Sequence, residues 1–217
     1  MDFLQILALL SQGVLNTLLI TLVSMAGGIA GGLVIVLAGQ KLKRRGQAVL
    51  RSGVYAVQSI PSLVLIFLAM YGLPQIGILI PPFATVTLCL GLMAAAYISE
   101  VFRGALQSID ARQIDAGLSL GMRRRLIFHS VLLPQMLRYS FPGLINEFSS
   151  VLKASPFAYI AGVPEILKEA QTITAVTMKG LPVYAAAALL FLALYLCCNA
   201  LFKFLNRHFH IPGLGEE

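Results

Sequence analysis

Five apolar stretches, each about 20 residues long, dominate this sequence and decide the solvent in which it folds. At 1.5 Å of rise per residue, such a stretch crosses about 30 Å of hydrocarbon as a helix. They cover residues 14–38, 54–73, 84–102, 141–163 and 183–205, the fourth interrupted by polar residues. Hydrophobic residues make up 58% of the 217 and charged residues only 12%, whereas a soluble domain carries about 25% charged residues. A soluble core of this size cannot hide that much apolar surface, so the surplus needs lipid. The expected fold is all-α: one domain, 1–217, with about five transmembrane helices. The chain has no Trp, which leaves Tyr, Lys and Arg as interfacial anchors.

Charge orients these helices. After the first stretch come Lys41, Lys43, Arg44, Arg45 and Arg51. Between the third and fourth lie Arg103, Arg112, Arg123, Arg124, Arg125 and Arg138, and after the fifth come Lys203 and Arg207. Alternate crossings put all of these on one side and leave Lys168 and Lys179 on the other, with Lys153 inside the fourth stretch. The positive-inside rule makes the crowded side cytoplasmic. The N-terminus is then expected outside and the C-terminus inside. The net charge of +7 is accounted for by these flanks, so no nucleic-acid partner is expected. The opening residues, MDFLQILALLSQG, carry Asp2 but no positive region, so the first span is expected to be retained rather than cleaved as a signal peptide.

Smaller features fit a membrane bundle. Gly27, Gly28, Gly31 and Gly32 form two overlapping GxxxG patterns, a groove that lets another helix approach closely. Cys89, Cys197 and Cys198 sit in apolar runs without metal-ligand spacing and read as small hydrophobes. No metal site is expected, and His208-x-His210 reads as part of a polar tail. The chain lacks G-x-x-x-x-G-K-[ST], so it is not expected to hydrolyse ATP by itself.

The longest charged connection, 103–138, holds a compact pattern. Ile114, Gly117, Leu118 and Gly121 recur on one helical face. Asp110 is placed to cap that helix with Gln113 completing the box, and Gly121 suits the position just past its end. Three arginines, Arg123 to Arg125, then precede a second apolar-periodic run ending at Leu133-Pro134. From periodicity alone, an interfacial helix pair with basic anchors and a partner-docking helix are equally good readings.

The spacing Asp115-Ala116-Gly117, three residues, Gly121, nine residues, Val131-x-Leu133-Pro134 resembles the EAA loop of bacterial ABC importer permeases. That pattern is Glu-Ala-Ala, three residues, Gly, nine residues, Ile-x-Leu-Pro; Asp115, Gly117 and Val131 depart from it. Ser59-Ile60-Pro61-Ser62-Leu63-Val64, Tyr71-Gly72-Leu73-Pro74, Ala95-Ala96-Tyr97-Ile98-Ser99-Glu100 and Ile145-Asn146-Glu147-Phe148 look like the polar amino acid uptake group, and the likeness runs over about 15–204. It implies a type I importer fold and a multi-pass location in the bacterial inner membrane. It also implies an ABC ATPase dimer that carries ATP and Mg, a second permease subunit and an external solute-binding protein. ATPase coupling would fall on Asp115, Ala116, Gly117, Leu118, Gly121, Arg123 and Arg124. No cofactor is expected on the chain itself.

Polar residues within the spans are the candidates for the solute pathway, because lipid cannot satisfy them. Tyr97, Ser99 and Glu100 lie towards the end of the third stretch, where Glu100 can also pair with Arg103. The fourth carries Asn146, Glu147, Ser149, Ser150, Lys153 and Ser155, of which Asn146, Ser149, Ser150 and Lys153 share a face. The group's usual Leu-Lys-Asp-Thr-Ser-Leu is here Leu152-Lys153-Ala154-Ser155-Pro156-Phe157. Met93 stands where Asn is common, and Gln58 where Arg is. Losing those polar groups favours a heteromeric pair, with a homodimer as the other arrangement. A secondary transporter or channel without an ATPase is the alternative class; it would call for matched repeats with broken helices, and none is visible.

Overall fold

The computed structural model describes residues 2–209, with side chains as far as residue 204. The described residues form helices and short turns. In chain order the helices are α1 (Phe3–Leu10), α2 (Val14–Lys41), α3 (Arg44–Ser59), α4 (Ser62–Phe67), α5 (Pro82–Gln107), α6 (Arg112–Ser119), α7 (Arg124–Ile127), α8 (Leu133–Ala154), α9 (Ile166–Thr177) and α10 (Gly180–Phe209). The side chain of His208 and the whole of His210 lie outside the described residues.

Among the described residues, three helical runs are long and apolar enough to cross a bilayer: Phe3–Lys41, Pro82–Gln107 and Gly180–Phe204. The first begins earlier than the apolar stretch at 14–38, because α1 continues into α2 through one 3₁₀ turn at Ser11–Gly13. The expected second span is not one rod. Helices α3 and α4 meet at a 93° bend, where Pro61 holds Ile60 in an extended conformation that ends α3. Taken together, this bent pair qualifies as a fourth span. The expected fourth span, at 141–163, falls mainly on α8, which is long enough at about 33 Å but contains Arg138, Glu147 and Lys153 and does not qualify on composition.

The centre of the bundle is the seam between α2 and α5. Gly28, Gly31 and Gly32 lie against Ala94, Ala95 and Ile98, so close that an added Cβ would stand 2.6, 2.8 and 2.9 Å from them respectively. Gly27 points away from the seam, with nothing within 4 Å of its Cβ position. Small residues on both sides let the backbones approach, and packing then replaces the hydrophobic drive that lipid does not supply. The core continues from Ile98 and Phe102 on α5 to Met136, Phe148 and Leu152 on α8, where the Phe148 ring stands edge-on to Phe202 of α10.

A second cluster joins α1 to α9 and α10 through Ile6, Leu10, Ile166, Ala170 and Val183. Gly13 rests directly on the backbone of Glu165 and Ile166, where a Cβ would be 2.5 Å away. Glu165 is fully buried and caps α9, accepting the backbone N–H groups of Leu167 at 2.9 Å and Lys168 at 2.7 Å. Burial pushes its carboxyl up to about 7, against the opposing pull of those two hydrogen bonds and with a small push from Glu169.

Candidate coupling helix and solute cleft

The connection at 103–138 folds into α6, α7 and the lead-in to α8. Its start differs from the capping box read from the sequence. Asp110 accepts the backbone N–H of Arg112 at 2.9 Å and pairs with the Arg112 guanidinium at 2.6 Å. That hydrogen-bonded guanidinium holds the Asp110 carboxyl below its ordinary value. Gln113 does not reach back to Asp110; its side chain bonds Gln135 of α8 at 2.7 Å, pinning α6 to the bundle. The end of α6 is a full Schellman motif. Met122 N–H donates to Gly117 C=O at 3.0 Å and Gly121 N–H to Leu118 C=O at 2.9 Å, with Gly121 at φ +74°. A side chain at Gly121 would be strained there, so the helix stops where the sequence places its glycine.

The two small residues of the pattern do different things. Gly117 is buried against this chain's own α7, where a Cβ would meet the Ile127 side chain at 2.9 Å. Its smallness lets α6 fold back on α7. What faces outward is Asp115, Ala116, Ser119 and two leucines, Leu118 at 39% exposed and Leu120 at 81%. Arg123 and Arg124 are exposed beside them. Leu120 was not singled out by the sequence pattern, because it lies off the Ile114–Gly117–Leu118 stripe. The signal that could have found it is a large apolar residue next to the glycine that ends a helix.

The pathway candidates separate into three groups. Tyr97 and Ser150 line a common cleft of about 380 Å³ with Ser62, Met93 and Glu147. Asn146 and Lys153 are exposed on the same side of α8, and the Lys153 ammonium lies 5.4 Å above the Tyr195 ring. The rest turn inward or pair locally. Ser99 and Ser155 are buried and donate to their own helices, to Ala96 C=O at 2.7 Å and Leu152 C=O at 2.9 Å. Ser149 donates to Ile145 C=O at 3.0 Å. Glu100 pairs with Arg103 and faces a separate, smaller cleft against α2 and α3. Glu147 was visible as a charge inside a span but stands about 100° round the helix from Asn146, off the stripe read from the sequence. The bend after α3 is tied to the same region. Gln58 donates to Ala96 C=O at 3.2 Å, and the Tyr97 hydroxyl reaches Gln58 C=O at 3.4 Å.

Known proteins resemble this chain over nearly its whole length. A family described as binding-protein-dependent transport system inner membrane component matches residues 26–211. The probable amino-acid permease protein YxeN of Bacillus subtilis (strain 168) is 30% identical, over 94% of this chain and 92% of that one. The histidine/lysine/arginine/ornithine transport system permease protein HisQ of Escherichia coli (strain K12) is 27% identical, over 92% of each. Among solved structures, a chain of an amino acid ABC transporter crystallised with histidines superposes with a TM-score of 0.87 at 28% identity, covering 96% of this chain and 99% of that one. A chain of the MetNI methionine ABC transporter shares the fold, with a TM-score of 0.79 at 19% identity. With the α6 motif and an all-helical membrane bundle in place, the chain belongs to the binding-protein-dependent transport system inner membrane components and is a permease subunit of an ABC transporter, a transport subunit rather than an enzyme.

Proposed function

We propose that this permease carries a polar amino acid or a related small solute inward, and that α6 receives the motion of a separate ATPase dimer. The observation that carries the coupling half is the outward face of α6. A short helix, pinned by Gln113 and closed by a Schellman turn, presents Leu118 and Leu120 beside Asp115. Apolar side chains exposed on a charged loop favour a protein partner. ATP and Mg are placed on that partner and no cofactor on this chain. The connection at 103–138 is then cytoplasmic, with the N-terminus outside and the C-terminus inside.

The amino acid class is supported by the relatives' names and by the chemistry of the cleft. Glu147, Tyr97, Ser150 and Ser62 offer a carboxylate and hydroxyls to a polar solute. On one chain this cleft is open at the α8 surface, where Asn146, Ser150 and Lys153 are exposed. Lipid cannot satisfy that face, so a second permease subunit is expected to close it. The replacement of Asn by Met93 and of Arg by Gln58 favours a partner of different sequence. An external solute-binding protein delivers the solute.

Affinity purification of the chain from its native membrane in mild detergent, followed by mass spectrometry, tests the assembly. Recovery of an ATPase with a phosphate-binding loop and of a second permease is the expected result. Repeated recovery without an ATPase, in detergent that preserves known complexes, would favour a transporter or channel that works without one. Two copies of this chain with no second permease would overturn the heteromeric pair alone.

A further inference from the structure

A cleft of about 880 Å³ opens between the inner end of α2 and the α7 limb of the loop. Lys41, Arg124, Arg125 and His129 stand round it, and Phe128 and Leu132 form an apolar wall. No acidic residue lines it among the described residues. All four basic side chains are exposed, and the His129 ring is held edge-on to buried Phe128 at 5.4 Å.

Of the acids of this part of the chain, Glu100 pairs with Arg103 and Asp110 with Arg112, while Asp115 is exposed on α6 and does not line the cleft. Among the described residues Lys41, Arg124 and Arg125 form no ion pair. Three cations therefore converge beside an apolar wall, where a membrane helix meets its polar loop. The cleft sits at the end of an apolar, membrane-length helix, where a span gives way to its loop, and it sets these cations beside that apolar wall. A phospholipid meets both, phosphate on the rim and acyl chain on the wall.

We propose that this cleft binds an anionic phospholipid, with its phosphate held by Lys41, Arg124 and Arg125 and its acyl chain laid on Phe128 and Leu132. Bound there, the lipid bridges α2 and α7 and so braces the limb against which α6 folds.

The test is native mass spectrometry of the intact transporter complex in mild detergent, offered equal phosphatidylglycerol and phosphatidylcholine. The unaltered complex is expected to retain phosphatidylglycerol preferentially, and inorganic phosphate is expected not to displace it. Lys41→Gln or Arg125→Gln should each lower retention about fivefold, and the pair about thirtyfold. Lys179→Gln, remote from the cleft, should not change it. Equal retention of the two lipids by the unaltered complex would overturn the proposal even if the variants failed to assemble. Displacement by inorganic phosphate, or undiminished retention in the double variant, would overturn it as well.

Discussion

Gly27 and Gly28 are neighbours in sequence but meet different surroundings, and that difference can be measured. A Cβ added at Gly28 falls 2.6 Å from the Ala94 Cβ and 3.3 Å from the Ala94 carbonyl carbon, while one added at Gly27 meets nothing within 4 Å. Non-bonded carbons settle at about 3.5–4.0 Å, so Gly28→Ala forces α2 and α5 apart by about 1 Å at this point. Neither neighbour can yield by rotating a side chain, because a Cβ is fixed to its backbone. The strain spreads along the seam, where Gly31 and Gly32 are packed almost as tightly. Overpacking of this kind costs about 1–3 kcal/mol. Both substitutions gain the same helix propensity, about 1 kcal/mol for Gly to Ala, so the difference between them isolates the packing cost. For a chain of this size that corresponds to a gap of about 2–12 °C in unfolding midpoint. The assay is thermal unfolding of the purified chain in detergent for Gly28→Ala, Gly27→Ala and the double variant Gly28→Ala/Ala94→Gly. The midpoint should fall for the first relative to the second, and the double variant should recover most of the loss. Equal melting of the two single variants, or no recovery when the Ala94 methyl is removed, would refute the seam.

Other substitutions probe the loop, the cleft and the buried acid. Leu120→Asp places a charge on the outward face of α6; it should abolish solute-stimulated ATPase activity in proteoliposomes while leaving the chain inserted and the unfolding midpoint unchanged. Gly121→Ala puts a Cβ at φ +74°, which costs about 1 kcal/mol; proteolysis of the loop should speed up before any loss of the membrane bundle. Glu147→Gln should raise the solute concentration needed for half-maximal uptake without changing recovery of the ATPase. For Glu165 the folded value of about 7 lies above the ordinary carboxylate value of 4.5. Its contribution is therefore fully present below pH 4.5 and is lost as pH rises towards 7, because the unfolded chain releases the proton first. Glu165→Gln keeps one acceptor for α9 and should flatten the fall in stability between those two pH values.

The sequence reveals most where length and composition alone decide the outcome. The cores of α2, α5 and α10 follow from uninterrupted apolar runs. The end of α6 follows from one glycine, whose left-handed conformation is strongly disfavoured for other residues. Direction was less legible. Periodicity groups Ile114, Gly117 and Leu118 on a face, but it cannot say whether that face meets a partner or the chain's own α7; Ile127 occupies the space at Gly117. The capping box at Asp110 failed because Arg112 and Gln135, one local and one distant, offered Asp110 and Gln113 better partners. The bend at Pro61 is a local rule that hydropathy averaging runs straight through. Glu147 was visible as an ionisable residue in a span, yet a stripe anchored on Asn146 left it aside. Serines such as Ser99 and Ser155 looked like pathway groups but are satisfied by their own helices.

The central claim is that the outward face of α6 touches the ATPase, and site-directed photo-crosslinking tests it most directly. A photoreactive residue in place of Leu120, activated in the intact complex, is expected to join this chain to the ATPase, while the same residue in place of Val64 on α4 is not. Crosslinks from position 120 confined to lipid or to the chain itself, in a complex that still contains the ATPase, would contradict the coupling role given to α6.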